Sequence, residues 1–236
     1  LAAQVAALIA QRGAGGVCLA DLDLQFGNAA LYLDLPEAVT ITDCLSSGSL
    51  TETPFAAALA THRTGARLLA APRDMVALET LSPADITALV AGLRRDGPLT
   101  LVDLPTAWTA WTAQLLNLAD RIVLVTHLSV PHVQIAKRQL RILASQQLDS
   151  RPLILVCNAL SPDQTASVSI KAAERALERT FDVVIPEDRK TMTAAINQGV
   201  ELSAVRRGTK LEKAMTELAD KVAAAAPVAA PARRWR

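Results

Sequence analysis

Asp21 and Asp23 stand two residues apart at the end of an apolar run, in VCLADLDLQFG from Val17 to Gly27. A β-strand puts alternate residues on one face, so both carboxylates leave the strand together where it meets its loop. Hard oxygen donors at a strand's carboxyl end suit Mg²⁺ and a phosphate ligand, because open α/β sheets gather ligands outside those ends. The alternative reading is that both aspartates only solvate a loop. Asp103 repeats the arrangement: Leu99, Leu101 and Val102 make a strand of which it is the last residue. Asn158 follows another apolar run, LILVC, and carries an amide that both donates and accepts, although a strand-ending Asn is equally a turn residue.

Positioning these groups requires strands and crossovers. Short apolar runs at 17–22, 67–70, 99–103, 121–126, 152–157 and 182–185 predict strands buried on both faces. A helix opens the chain, with Leu1, Val5, Leu8 and Ile9 at helical spacing until Arg12 and Gly13. Further helices are predicted at 53–62, 83–95, 108–118, 131–147, 167–179, 188–198 and 209–225, the second of them started by a Ser82–Asp85 capping box. Strands alternating with helices read as βαβ crossovers, hence a mainly parallel sheet covered on both sides in an α/β fold. The 236 residues suffice for one such domain over 1–222. Residues 223–236 form an Ala/Pro-rich tail that can bury little.

Composition removes several alternatives. With 24 Lys+Arg against 23 Asp+Glu, no overall field draws the chain to nucleic acid or an anionic membrane. Cys18, Cys44 and Cys157 are odd in number and lack a CxxC pair, which argues against a disulfide framework or zinc site and for a reducing cytosol. His62, His127 and His132 have no i, i+4 pairing or nearby ligand set, so a metal site there is not expected. No window approaches about 20 uninterrupted apolar residues, so no transmembrane segment is predicted. Trp108 and Trp111, three apart, are expected on one helix face, as core or as a partner surface. Arg206, Arg207 and the terminal RRWR could touch phosphates or lipid headgroups, but Pro227 and Pro231 argue against a continuous membrane helix there.

In their order, DLDLQFGNAALYLDL, LVDLP at 101–105 and LVCNAL at 155–160 resemble the MinD/ParA-type P-loop ATPases, a three-layer α/β/α fold. Together with HRTGARLLAAP at 62–72, the spelling is most similar to the TadZ/CpaE proteins of Flp (Tad) pilus assembly, over nearly all of 1–222. The resemblance implies ATP and Mg²⁺ as ligands. It also implies that Asp21 and Asp23 arrange Mg²⁺ and the attacking water, that Asp103 approaches Mg²⁺ through water, and that Asn158 hydrogen-bonds the adenine edge. It further implies homodimerisation on ATP, pilus assembly and secretion proteins as partners, and a cytoplasmic switch recruited to the inner membrane face or a cell pole. A non-catalytic scaffold on the same fold and a partitioning ATPase are the alternatives, the latter without a visible basic DNA-binding face.

Two departures bear on activity. By resemblance Asp103 matches the family's switch II aspartate, whose pattern often continues to a glycine, whereas here Asp103 is followed by Leu104, Pro105, Thr106 and Ala107. No GxxxxGK[ST] loop occurs, and Gly13, Gly15 and Gly16 lie between a helix and a strand, the wrong order for a phosphate cradle. By resemblance the first strand and P-loop would precede Leu1, so an amino-terminal truncation is expected, with the amino terminus of the opening helix facing the phosphates. These residues alone are then expected to bind ATP weakly and to be poorly stable, since an interior strand beside those carrying Asp21 and Asp103 would be missing.

Overall fold

The computed structural model describes residues 1–13, 16–48, 59–96, 99–161 and 168–224. Its strands are β1 (Val17–Asp21), β2 (Ala60–Thr61), β3 (Arg67–Leu69), β4 (Leu99–Asp103), β5 (Ile122–Thr126), β6 (Leu153–Leu160) and β7 (Val183–Pro186). The helices are α1 (Ala2–Gln11), α2 (Ala29–Tyr32), α3 (Ile41–Ser47), α4 (Pro83–Asp96), α5 (Ala110–Leu118), α6 (Val130–Ser145), α7 (Ile170–Leu177), α8 (Arg189–Gln198), α9 (Leu202–Val205) and α10 (Lys210–Ala223).

The strands form two sheets, β2-β3-β1-β4 and β5-β6-β7, parallel except for the β2–β3 hairpin. Strand alternation distributes the side chains between two layers of helices. On one side Val17, Leu19 and Leu68 join Ile154, Val156, Val183 and Ile185 under α1 and α10, so one apolar layer spans both sheets. On the other side Cys18, Ala20 and Leu69 pack against α3, α4 and α5, while Leu124, Leu155 and Cys157 pack against α6 and α7. Helix α1 presents Val5, Leu8 and Ile9 to this core, each fully buried side chain contributing about 1.5–3 kcal/mol. This is the three-layer α/β arrangement that the alternating runs predict.

Burial on both faces holds for β1, all five of whose residues are buried, but not for β4 or β5. Among the described residues each of those two strands has one hydrogen-bonded neighbour. Val123 and Val125 of β5 are 38% and 40% exposed, while Ile122 and Leu124 on its opposite face are buried. The cause is local, because an edge strand whose outer face lacks a covering element cannot bury alternate valines.

Other boundaries differ in informative ways. Residues 59–62, expected to end a helix, instead supply β2, and the 53–58 part of that helix lies outside the described residues. Strand β6 runs three residues beyond its apolar run, so Asn158 lies inside it, next to Ala159 at φ +51 and an irregularity in the β6–β7 register. Trp108 precedes the Thr109 cap of α5 and is not on the helix. Trp111 is 2% exposed and donates its indole N–H to the Leu78 carbonyl at 2.8 Å, which makes it core. The Ser82–Asp85 capping box forms as expected, and Gly13 closes α1 at φ +69. Short helices α2, α3 and α9 escape the periodicity because each offers under two turns of pattern. The Gly15 loop position, the RRWR end and the tail beyond Ala224 lie outside the described residues.

Candidate functional site

Parallel pairing of β1 with β4 brings two of the sequence-selected carboxylates together. The register sets Asp21 opposite Asp103, and Leu22 N–H extends the ladder to the Asp103 carbonyl at 2.9 Å. Asp21 is 1% exposed. Its Oδ2 accepts from the Ala29 N–H at the start of α2 (3.0 Å), and its Oδ1 from the Asp23 N–H (3.2 Å). Asp23 turns back on its own loop, Oδ1 accepting from the N–H groups of Gln25 (3.3 Å) and Phe26 (3.1 Å), the short-range bonding that suits Asp to turns. Gly27 closes the turn through its N–H to the Asp23 carbonyl at 2.9 Å. A Cβ at this position would lie 2.4 Å from the Ala71 Cβ and 2.6 Å from the Asp21 Oδ1, so only glycine fits.

These groups line a hollow of about 200 Å³ that also receives Leu1, Ala2 and Ala3 at the amino end of α1, together with Phe26 and Tyr32. Burial raises Asp21 from the ordinary carboxylate range to about 6; the Ala29 N–H opposes the rise and Asp103 adds to it. Burial likewise pushes Asp103 up, reinforced by Asp23. Among the described residues no three Asp, Glu, His or Cys side chains converge as a ready-made metal cage. With backbone donors occupying several carboxylate oxygens, a divalent cation here would keep much of its water, the habit of Mg²⁺.

Asn158 is not part of this hollow: it sits on β6, in the other sheet, half-buried. The sequence reading marks the three aspartates and the Gln-Phe-Gly turn but not the Ala29 N–H or Tyr32, which carry no spacing signal. A larger open hollow of about 840 Å³ lies over α7, lined by Lys171, Glu174, Arg175 and Glu178 among others. It adjoins Leu153 at the amino end of β6, and its mixed charges select no ligand.

No protein-family model matches the sequence, and no curated protein sequence does. Solved structures match in fold. A ParA family ATPase from Chlorobium tepidum is 18% identical, with 92% of this chain and 90% of that one covered and a TM-score of 0.81. The septum site-determining protein MinD from Pyrococcus horikoshii, solved with Mg-ADP, is 16% identical over 94% and 88% of the two chains, with a TM-score of 0.76. A MinC:MinD complex from Aquifex aeolicus gives 20% identity over 100% and 93%, with a TM-score of 0.75. The chain thus has the MinD/ParA-like P-loop NTPase fold.

Proposed function

We propose that this chain is the body of a MinD/ParA-like, nucleotide-switched ATPase that takes ATP and Mg²⁺, and that it serves as a localisation factor in Flp/Tad pilus assembly. The observation that carries the switch is the hollow itself, with Asp21, Asp23 and Asp103 at the carboxyl ends of neighbouring parallel strands, facing the amino end of a helix. Its oxygen donors fit a hydrated Mg²⁺. Among the described residues its lining holds no Lys or Arg, so a triphosphate needs a phosphate cradle and a lysine from elsewhere.

The open edges of β4 and β5 suggest the source. One parallel strand between them would join the two sheets, flank Val123 and Val125, and end close to Asp103 and α1, where a glycine-rich loop would reach the hollow. In this reading Asp23 and Asp103 hold the cation through water and position the attacking water, Asp21 holds the loop, and Asn158 meets the adenine. ATP-bound copies dimerise, and the dimer recruits pilus and secretion partners. The Pro105–Thr106–Ala107 sequence after Asp103 favours a second reading, a scaffold on the same fold that binds partners without turnover.

The deciding experiment titrates ATP-γ-S, with and without Mg²⁺, into the full gene product and into its Asp23→Ala variant. Magnesium-dependent binding that the substitution impairs is the expected result. No binding by the unsubstituted protein would overturn the switch and leave the scaffold.

A further inference from the structure

Two walls of the acidic hollow rest on one distant loop. The first wall is the start of α1, whose Gln4 is 4% exposed and bridges that loop: its Nε2 donates to the Val200 carbonyl at 2.9 Å and its Oε1 accepts from the Leu202 N–H at 3.0 Å. The second wall is α2, whose first N–H holds Asp21 and whose end turns at Asp34, φ +50, directly against Gly199, φ +59. A Cβ on Gly199 would fall 2.3 Å from the Asp34 Cβ, so the two left-handed turns are in backbone contact.

The loop 199–202 is itself pinned from its other side by the turn after β2. His62, 4% exposed, meets the Gly199 carbonyl through Nε2 at 3.2 Å. Arg63 makes a bidentate pair with Glu201, at 3.1 Å from Nε to Oε2 and 2.7 Å from its terminal nitrogen to Oε1. The Glu201 side chain is 6% exposed and that of Arg63 54%, so a buried carboxylate depends on a counter-charge from the surface. A buried charge deprived of its partner is strongly unfavourable, so losing Arg63 would drive Glu201, and the loop with it, towards water.

We infer that loop 199–202 is the support that positions the acidic hollow, with Gln4, Arg63 and Glu201 as positioning residues for Asp21 although none of the three touches it. This deepens the nucleotide-switch reading and rests on it for its function, while its geometry stands apart from any ligand. Whatever binds or modifies the turn at its exposed Arg63 and Gly65 then acts on the hollow through the loop and α2.

The test uses this chain without nucleotide, reading backbone amides by NMR. The Ala29 and Asp23 amides report Asp21 directly, since both donate to it. In Arg63→Gln, hydrogen-exchange protection at Ala29 is expected to fall at least tenfold more than at Leu68 in the centre of β3. Arg63→Lys, which keeps the charge, should restore most of that protection. If Arg63→Gln does not fold, Glu201→Gln carries the same test, with at least a threefold loss expected at Ala29. Protection at Ala29 falling only in parallel with Leu68 would overturn the inference. Failure of nucleotide binding would instead sink the switch reading and leave these readouts intact.

Discussion

Replacing Asp21 by Asn should make the fold more stable at alkaline pH and less stable in acid. Burial raises the Asp21 carboxyl from 3.8 to about 6, so the folded chain holds this proton more tightly than the unfolded chain does. The contribution is therefore fully present below the unfolded value and is lost as pH rises to the folded one. The shift of roughly two units corresponds to about 3 kcal/mol of stability that the native chain loses between pH 3 and pH 7. Asn escapes that loss but keeps one acceptor where Asp has two, and so gives up one of the bonds from Ala29 and Asp23, worth about 1 kcal/mol. The variant should thus be about 2 kcal/mol more stable at pH 8 and about 1 kcal/mol less stable at pH 3, with the curves crossing between about pH 4 and 5. Urea unfolding at half-unit pH intervals measures this, and at pH 8 a midpoint temperature about 4–8 °C above the parent is the thermal equivalent. Parallel stability curves across pH 3–8 would refute the argument that Asp21 is held in a buried, charge-disfavouring position.

Three further outcomes follow from the same geometry. Gly27→Ala drives a methyl into Ala71 and Asp21 and should destabilise the chain by about 1–3 kcal/mol in urea unfolding, with the amide signals of 21–29 displaced. Trp111→Phe removes the indole donor to the Leu78 carbonyl and should lower stability by about 1–3 kcal/mol, measured by chemical denaturation. Burial raises the Cys18 thiol to about 12 and that of Cys157 to about 11, so at pH 8 a disulfide reagent should react with both only as fast as the protein opens; prompt labelling of the folded chain would contradict that burial.

The site was legible where chemistry coincides with a strand end. Asp21 and Asp103 each close an apolar run, and a strand that stops at a carboxylate announces both its length and its ligand-bearing edge. Asn158 was legible as an amide and read as ending its strand, whereas β6 continues past its apolar run to pair with β7 through an irregular register. Trp108 and Trp111 show the opposite error: equal spacing suggested one helix face, but the Thr109 cap, a tertiary choice of where the helix starts, separates them.

From sequence alone came the alternation of strands and helices, the parallel α/β class and the three aspartates, because periodicity and residue type are local properties that survive without neighbours. Only the tertiary structure decided that the strands form two sheets, with edges at β4 and β5 that are open among the described residues, and that Val123 and Val125 remain exposed. It alone brought Gln4, Arg63 and Glu201 onto one loop behind the hollow. Those outcomes depend on contacts between residues as many as 198 positions apart, such as Gln4 with Leu202, and nothing in the spacing of either partner encodes the other.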